Sequence, residues 1–372
     1  MKDKSFFEVQ TSASGVKAEI VSKYFTVWAS IVGKRSSSLG YVDLFAGAGV
    51  YGDGKKSTPI LILESAIRAH STWGSKLRVV FNDVSEESIA ALNGAISALP
   101  GHEALLPRVQ VTCSPVDDSK IESLKKWRHP SLVFLDPWGY KGLSVKLIQA
   151  ALSRQMTDVI FFFNYNRVNA AITNEFMEEN INAFFTPERA ERLRQAVIAV
   201  GENAKKREQI VLQAVLDEVT LNGKYYTAHF KFDVPDAKKT SHYIILVTKN
   251  PAGIKPMKEI MAKVSSVKNE GIASMAFSPK AAEAQCQFSL FPADLIGELA
   301  KTLLIRFAGQ TLTLEAIFQL HNIGTNYVIR NYRDAVLRLE KDGRVTCNPA
   351  AASRPSRNGA ATLAEHVQIS FP

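Results

Sequence analysis

Apolar residues along this chain fall first at helical spacing and then in short runs. From about Ser14 to Val32, the residues Val16, Ile20, Tyr24, Val27, Trp28 and Ile31 recur at the three-to-four spacing of one helix face. The serines and glycine of Ser36 to Gly40 break that pattern. Strand-like runs then alternate with helical ones. The runs Tyr41–Phe45, Leu77–Phe81, Val109–Cys113, Leu132–Leu135 and Asp158–Phe163 predict strands. Helices are predicted over Pro59–His70, Ser85–Leu99, Ser119–Trp127 and Ser144–Leu152. Pro59 suits a first helical turn, and Ser85 caps a turn rich in glutamate. Strands that alternate with helices in this way predict a parallel sheet covered on both faces, with right-handed crossovers.

The next stretch, Asn174–Leu221, is helical and rich in charge, and it predicts an insertion over about 170–222. Tyr225–Val234 and Ser241–Thr248 follow as two strands of a hairpin. An α/β chain of five parallel strands, a helical insertion and a terminal hairpin has the element order of a Rossmann-like class I methyltransferase. Lys255–Val267 reads as a further helix that completes a domain over 1–270. The weakly patterned stretch 271–292 reads as a linker. Ala293–Phe307, Thr313–His321 and Asn326–Asp342 predict three short helices, and Arg344–Cys347 and His366–Phe371 two wing strands. Residues 293–372 therefore read as a winged helix-turn-helix.

Charge narrows the partners. The net charge of +9 is spread along the chain and favours a polyanion, DNA or RNA. Cys113, Cys286 and Cys347 lie far apart in sequence and form neither a disulfide framework nor a metal cluster, which fits a reducing cytoplasm. Cys113 itself reads as a small buried residue. No apolar run is long enough to cross a membrane, and the histidines show no ligand spacing, so neither a membrane nor a metal is expected.

Asp43-Leu44-Phe45-Ala46-Gly47-Ala48-Gly49 ends the first strand. Glycines there let the backbone turn tightly and approach a ligand at the carboxyl edge of the sheet. The full dinucleotide fingerprint is not met, because Gly52-Asp53-Gly54 extends the loop before the next helix. That suits a cofactor without a pyrophosphate, such as S-adenosylmethionine. Asp83 after the second strand can bind ribose hydroxyls, and Asp117 after the third can accept from an adenine amino group. Aspartate also favours turns and caps, which is the competing account of both.

Leu135-Asp136-Pro137-Trp138-Gly139-Tyr140 ends the fourth strand. An exocyclic base amine is a poor nucleophile, because its lone pair is delocalised into the ring. The Asp136 carboxylate and the Pro137 carbonyl can accept its two N–H bonds and accommodate the charge that develops on nitrogen. Trp138 or Tyr140 can stack on a base taken out of its helix. Cytosine C5 methylation needs a cysteine nucleophile, and Trp138 stands where it would be expected. Arg167, after the fifth strand, can hold a phosphate or a carboxylate, or cap its loop. Lys205-Lys206-Arg207 reads as a solvated helix face. In the winged helix, Asn326, Arg330 and Arg333 stand on the second helix of the pair, whose N-terminal end reads bases, with Arg354 and Arg357 in the wing. Winged helices also serve in protein docking, which is the alternative for this module.

These residues resemble the three-Cys-motif partner proteins, a family of bacterial methyltransferases. The likeness rests on Lys17–Trp28, Tyr41–Gly47, Phe134–Gly142 and Tyr243–Lys249 and covers roughly residues 15–270. It implies S-adenosylmethionine as cofactor and a radical-enzyme-like partner protein that carries the three cysteines. The Asp-Pro-aromatic-Gly pattern is also similar to that of tRNA guanine-N2 methyltransferases. The expectation is a methyltransferase for an exocyclic base amine. Its rival is a binding protein that senses a nucleotide without turnover.

Overall fold

The computed structural model describes residues 11–105, 108–137, 142–174, 178–234, 240–269, 271–283, 294–357 and 360–372. Helix α1 (Ser12–Val32) leads into β1 (Leu39–Asp43), and α2 (Thr58–Arg68) into β2 (Leu77–Asp83). Then come α3 (Glu86–Ser97), β3 (Val109–Cys113), α4 (Asp118–Lys126), β4 (Ser131–Leu135), α5 (Val145–Ala151) and β5 (Asp158–Phe163). The insertion supplies α6 (Tyr165–Ala171), α7 (Glu178–Phe184), α8 (Pro187–Ala199) and α9 (Ala204–Val219). The hairpin is β6 (Tyr226–Asp233) and β7 (Thr240–Thr248), followed by α10 (Ile254–Val264).

These strands form one sheet in the order β3-β2-β1-β4-β5-β7-β6, with β1 to β5 parallel and β7 antiparallel to both neighbours. Strand order reverses between β1 and β4, so the crevice for a ligand opens at their carboxyl ends. The wholly buried runs of β1 and β4 fit a sheet covered on both faces. One face packs against α1, α2, α3 and α10, and the other against α5 and the insertion. Tyr24 pins α1 to the sheet by donating to Asp158 at 2.7 Å.

The stretch expected to be a linker is partly structured. It contains β8 (Lys268–Asn269), β9 (Ile272–Ala273), β10 (Ala276–Phe277) and α11 (Pro279–Glu283). Strand β10 pairs parallel to β6 and becomes the eighth strand of the sheet, so the first unit runs past residue 270. Strands of two residues carry no readable alternation, and Met275 turns between them at φ 52°. Cys113 corrects a second expectation. It is exposed rather than buried, because β3 is the edge strand.

The C-terminal unit contains α12 (Leu295–Arg306), β11 (Thr311–Thr313), α13 (Leu314–His321), α14 (Ile329–Lys341), β12 (Thr346–Asn348), β13 (Ser356–Arg357), β14 (Ala360–Ala361) and β15 (Gln368–Ser370). Its sheet has the order β11-β15-β12, one strand more than the pattern suggested, over a core that includes Leu303, Phe318, Tyr332 and Ile369. This is a winged helix-turn-helix. No described helix is long and apolar enough to cross a membrane.

The two units are joined by specific contacts at the helix-turn-helix turn. The Lys258 ammonium, 4% exposed, donates to the Asn322 carbonyl at 2.8 Å and to Thr325 Oγ1 at 3.3 Å. Asn326 donates to the Ser274 carbonyl at 3.2 Å, and Asn331 to that of Gly271 at 3.4 Å. Val328 packs against the core of the first unit, and Lys255 pairs with Glu365 at 2.5 Å. Burial pushes the Lys258 ammonium down from its usual 10.5 to about 7. Between those pH values the unfolded chain holds one proton more than the folded one, so Lys258 makes stability rise with pH, by up to about 1.4 kcal/mol per unit. The stability of the wild type relative to Lys258→Met should therefore grow from pH 7 to pH 9 in chemical denaturation. A gap that does not change with pH would show that Lys258 stays charged in the fold.

Candidate functional site

At the carboxyl edge of the sheet the backbone is held open by polar side chains. Asn82, fully buried, donates to the carbonyls of Leu44 at 3.2 Å and Ser114 at 2.9 Å, and accepts from Thr112 and Ser114 hydroxyls. It thereby fastens together the loops after β1, β2 and β3. The neighbouring Asp83 accepts from the Gly47 N–H and from the Ser85 N–H, both at 2.9 Å. The glycine loop depends on left-handed backbone at Gly47 (φ 65°) and Gly49 (φ 81°), a conformation that disfavours side chains. A Cβ on Gly49 would also meet Leu92 at 2.7 Å, whereas the space beside Gly47 is open.

This loop forms one wall of a cavity of about 650 Å³. Asp43, Phe45, Gly47, Gly49, Asp136, Pro137 and Arg167 from the sequence reading all line it. Asp43 is 1% exposed and accepts from the Phe45 N–H at 3.1 Å. Burial drives its carboxyl well above the usual carboxylate range, and Asp136 adds to that shift, against the Phe45 hydrogen bond and the Lys17 charge. Asp83 is not a lining residue; its carboxylate braces the loop from behind. Asp117 stands apart. It is exposed, caps α4 through Ser119, and that hydrogen bonding lowers its pKa. Trp138 and Tyr140 lie outside the described residues.

Several cavity residues carried no signal in the sequence reading. Lys17, on α1, forms an ion pair with Asp136, and its ammonium lies 4.7 Å from the centre of the Phe162 ring. Burial works to strip the Lys17 proton, but Asp136, Tyr51 and Asp43 outweigh it and hold the ammonium above its usual range. Phe162 stacks on His242 at 4.6 Å. Burial, with Lys17 and Arg167, pushes His242 down to about 4, so it is neutral near pH 7. Asn164 accepts from the Arg167 N–H at 3.1 Å and starts α6. Lys17 sits within the amphipathic run of α1, and nothing in that run marks a lysine that turns toward the sheet edge. Phe162 and His242 belong to strands whose register had to be known first.

The winged-helix residues divide sharply. Arg330 is exposed, with its side chain 81% accessible and Asp334 at 3.8 Å. Arg357 is exposed as well. Arg333 was expected on the same open face, yet it is partly buried, and its Nε donates to the Leu363 carbonyl at 2.8 Å. Arg354 is not a free wing cation: it is buried and paired with Glu340. Asn326, expected at the base-reading end of the second helix, precedes α14 and faces the first unit at Ser274. The helix start is set by the Val328–Asn331 capping contact, in which the Val328 N–H donates to Asn331 at 2.9 Å. Among the described residues no group of three or more His, Cys, Asp or Glu is placed to hold a metal.

The two acidic residues after β2 and β3 should behave differently. Asp83→Ala should lower the unfolding free energy by about 1.5–3 kcal/mol, the scale of hydrogen bonds to a charged group, and expose the 44–57 loop to hydrogen exchange. Asp117→Ala should leave that loop protected and affect only the start of α4. Equal protection of the loop in both variants would overturn the bracing role of Asp83.

Residues 277–352 match the model of the GMT-like wHTH domain. No curated protein matches the chain. Among solved structures, a protein of Legionella pneumophila is 14% identical over 66% of this chain and 91% of its own, with a TM-score of 0.39. An O-methyltransferase from Bacillus cereus in complex with SAH is 15% identical over 65% of this chain and 83% of its own, at 0.35. A putative rRNA-methylase from Clostridium thermocellum is 12% identical over 65% of this chain and all of its own, at 0.31. By its strand order and its C-terminal unit, the chain is a Rossmann-like methyltransferase-type sheet followed by a winged helix similar to the GMT-like wHTH domain.

Proposed function

We propose that the chain is an S-adenosylmethionine-dependent methyltransferase whose acceptor is an exocyclic amino group of a base in DNA or RNA. One observation carries this reading: the glycine loop after β1 and the carboxylate after β4 face the same cavity. The residues suit the cofactor. Open space beside Gly47 leaves room for a ligand against the backbone, and Asp43 stands at the same wall with a side chain that can hydrogen-bond a polar cofactor. Asp43, Phe45, Gly47 and Gly49 would hold it, with Asp83 fixing the loop. When bound, S-adenosylmethionine supplies a methyl group activated by a sulfonium.

The chain's own residues supply position and electrostatics. Asp136 and the Pro137 carbonyl accept the N–H bonds of the acceptor and offset the charge that builds on nitrogen. Phe162 lines the cavity, but its ring is already taken up by Lys17 and His242, so stacking on the base falls to Trp138 or Tyr140 in this reading. Alignment of acceptor, methyl and sulfur carries much of the barrier, so rigid placement of Asp136 matters. The likeness to three-Cys-motif partner proteins belongs to the same proposal, and with it a radical-enzyme-like partner.

A second reading of the acceptor atom is favoured by Lys17. An ammonium bound to Asp136 opposes positive charge on an amine but stabilises negative charge on a hydroxyl oxygen. The pair therefore also suits a hydroxyl of the same nucleic acid. Digestion to nucleosides after incubation with methyl-labelled cofactor separates base-methylated from sugar-methylated products. Asp136→Ala should lower kcat by a factor of about 10² or more while S-adenosylhomocysteine affinity holds, and thermal stability should fall because Lys17 loses its partner; adding Lys17→Met should restore the stability but not kcat. Asp136→Asn should keep more activity if the acceptor is an amine, because an amide oxygen still accepts a hydrogen bond. Calorimetry that detects no S-adenosylhomocysteine binding by the folded wild type would sink the cofactor assignment. Binding without turnover on DNA or RNA would leave a non-catalytic sensor.

A further inference from the structure

A second and larger cavity lies beside the candidate site. It measures about 1170 Å³ and opens between the insertion, the β6–β7 hairpin and the winged helix. Asn166, in the first turn of α6, lines both cavities and joins them. Asn326 of the winged helix closes the far end, where it is bonded to Ser274. The docked helix-turn-helix is therefore part of the cleft through Asn326, while Arg330 in the first turn of α14 stays exposed.

The chemistry of the cleft walls is specific. Its described lining carries three cations, Lys205, Arg207 and Lys231, against two carboxylates, Glu202 and Glu208. Glu208 is already engaged: it accepts from Thr240 at 2.6 Å and from Tyr243, and Lys231 lies 3.9 Å from it and 3.5 Å from Asp233, so Lys205 and Arg207 carry the positive charge of the cleft. Arg207 is fixed at the wall by two bonds to Asn169, at 2.6 and 3.2 Å. Lys205 is exposed at the N-terminal turn of α9. The basic run that reads as a solvated helix face thus sends two of its three residues to the cleft. Between the cations stand the amides of Asn166, Asn169, Gln209 and Asn326, which can meet the polar edges of unpaired bases.

We propose that this cleft binds the single strand that flanks the acceptor, as a substrate subsite built jointly by the insertion and the winged helix. The proposal rests on the nucleic-acid methyltransferase reading for its purpose. A base can reach a cavity behind Asn166 only when it has left its stack, and its neighbours must then follow an unpaired path. Cations along such a path hold the backbone, and the space is several times the roughly 300 Å³ at the small end of ligand pockets. The bond from Asn326 to Ser274 ties the start of the second helix to the cleft wall, and the cleft adjoins the methyl-transfer cavity at Asn166.

The test uses the full chain and fluorescein-labelled single-stranded RNA and DNA of about twelve nucleotides, read by anisotropy at low salt. Lys205→Glu, an exposed change that leaves the inter-unit contacts intact, should raise Kd by about tenfold for the preferred strand. Adding Asn326→Asp should weaken binding further. Lys341→Glu, at the exposed end of α14, should change Kd by less than about twofold. Calorimetric affinity for S-adenosylhomocysteine should be the same in all variants. The subsite is overturned if Lys205→Glu binds as the wild type does, if Lys341→Glu loses as much, or if the wild type binds neither strand. Loss of S-adenosylhomocysteine binding in the wild type would count against the methyltransferase reading alone, because strand binding is measured separately.

Discussion

A single half-buried ion pair orders the carboxyl edge of this sheet. Lys17 reaches from α1 to Asp136 at the end of β4, with the Phe162 ring of β5 beneath its ammonium. An unpaired charge in that position would carry a large desolvation cost, so each partner needs the other. The pair also sets its surroundings. It bears on Asp43 in both directions, through the Lys17 charge that lowers its pKa and the Asp136 charge that raises it. It acts on His242 in both directions too, through the Lys17 charge that lowers its pKa and the Asp136 charge that raises it, with burial the larger cause of its neutrality. Helix α1 thus closes one side of the cavity at Thr11 to Lys17, while Tyr24 fixes the same helix to Asp158 on β5.

Behind this edge, Asn82 and Asp83 perform the structural counterpart. Parallel strands end in loops whose backbone groups lack ladder partners and must be satisfied locally. Asn82 answers for Leu44 and Ser114, and Asp83 for Gly47 and Ser85. The open conformation of the glycine loop is therefore built before any ligand arrives, which reduces what binding must order. Asp117 does the bland task instead, since its position at an exposed helix start gives it a cap to make and no cavity to face.

The winged helix is integrated with the sheet rather than tethered to it. Lys258 places a buried charge-bearing group under the turn at Asn322 to Thr325, and β10 extends the sheet up to the start of the C-terminal unit. The consequence is functional as well as structural. At the start of the second helix Asn326 bonds to Ser274 of the first unit and lines the larger cleft, while Arg330 stays open to solvent.

The sequence by itself determined the layered fold. Alternation of short apolar runs with helical ones is a local property, set by side-chain period and burial, and it carried the parallel strands and the β6–β7 hairpin, while their spatial order was settled by the packed sheet. It also placed the glycine loop and Asp136 at strand ends, because such motifs are contiguous. The two-residue strands β9 and β10 escaped, since a period of two needs more residues to show. So did the pairing of Lys17 with Asp136, 119 positions apart, because such a contact exists only once α1 crosses the sheet. Arg333 and Arg354 carry the same charge in the sequence as Arg330, yet only packing decided that a carbonyl and Glu340 would claim them. Charge is written in the chain residue by residue, but whether it faces solvent, a partner or a cavity is settled by which distant segments fold against it.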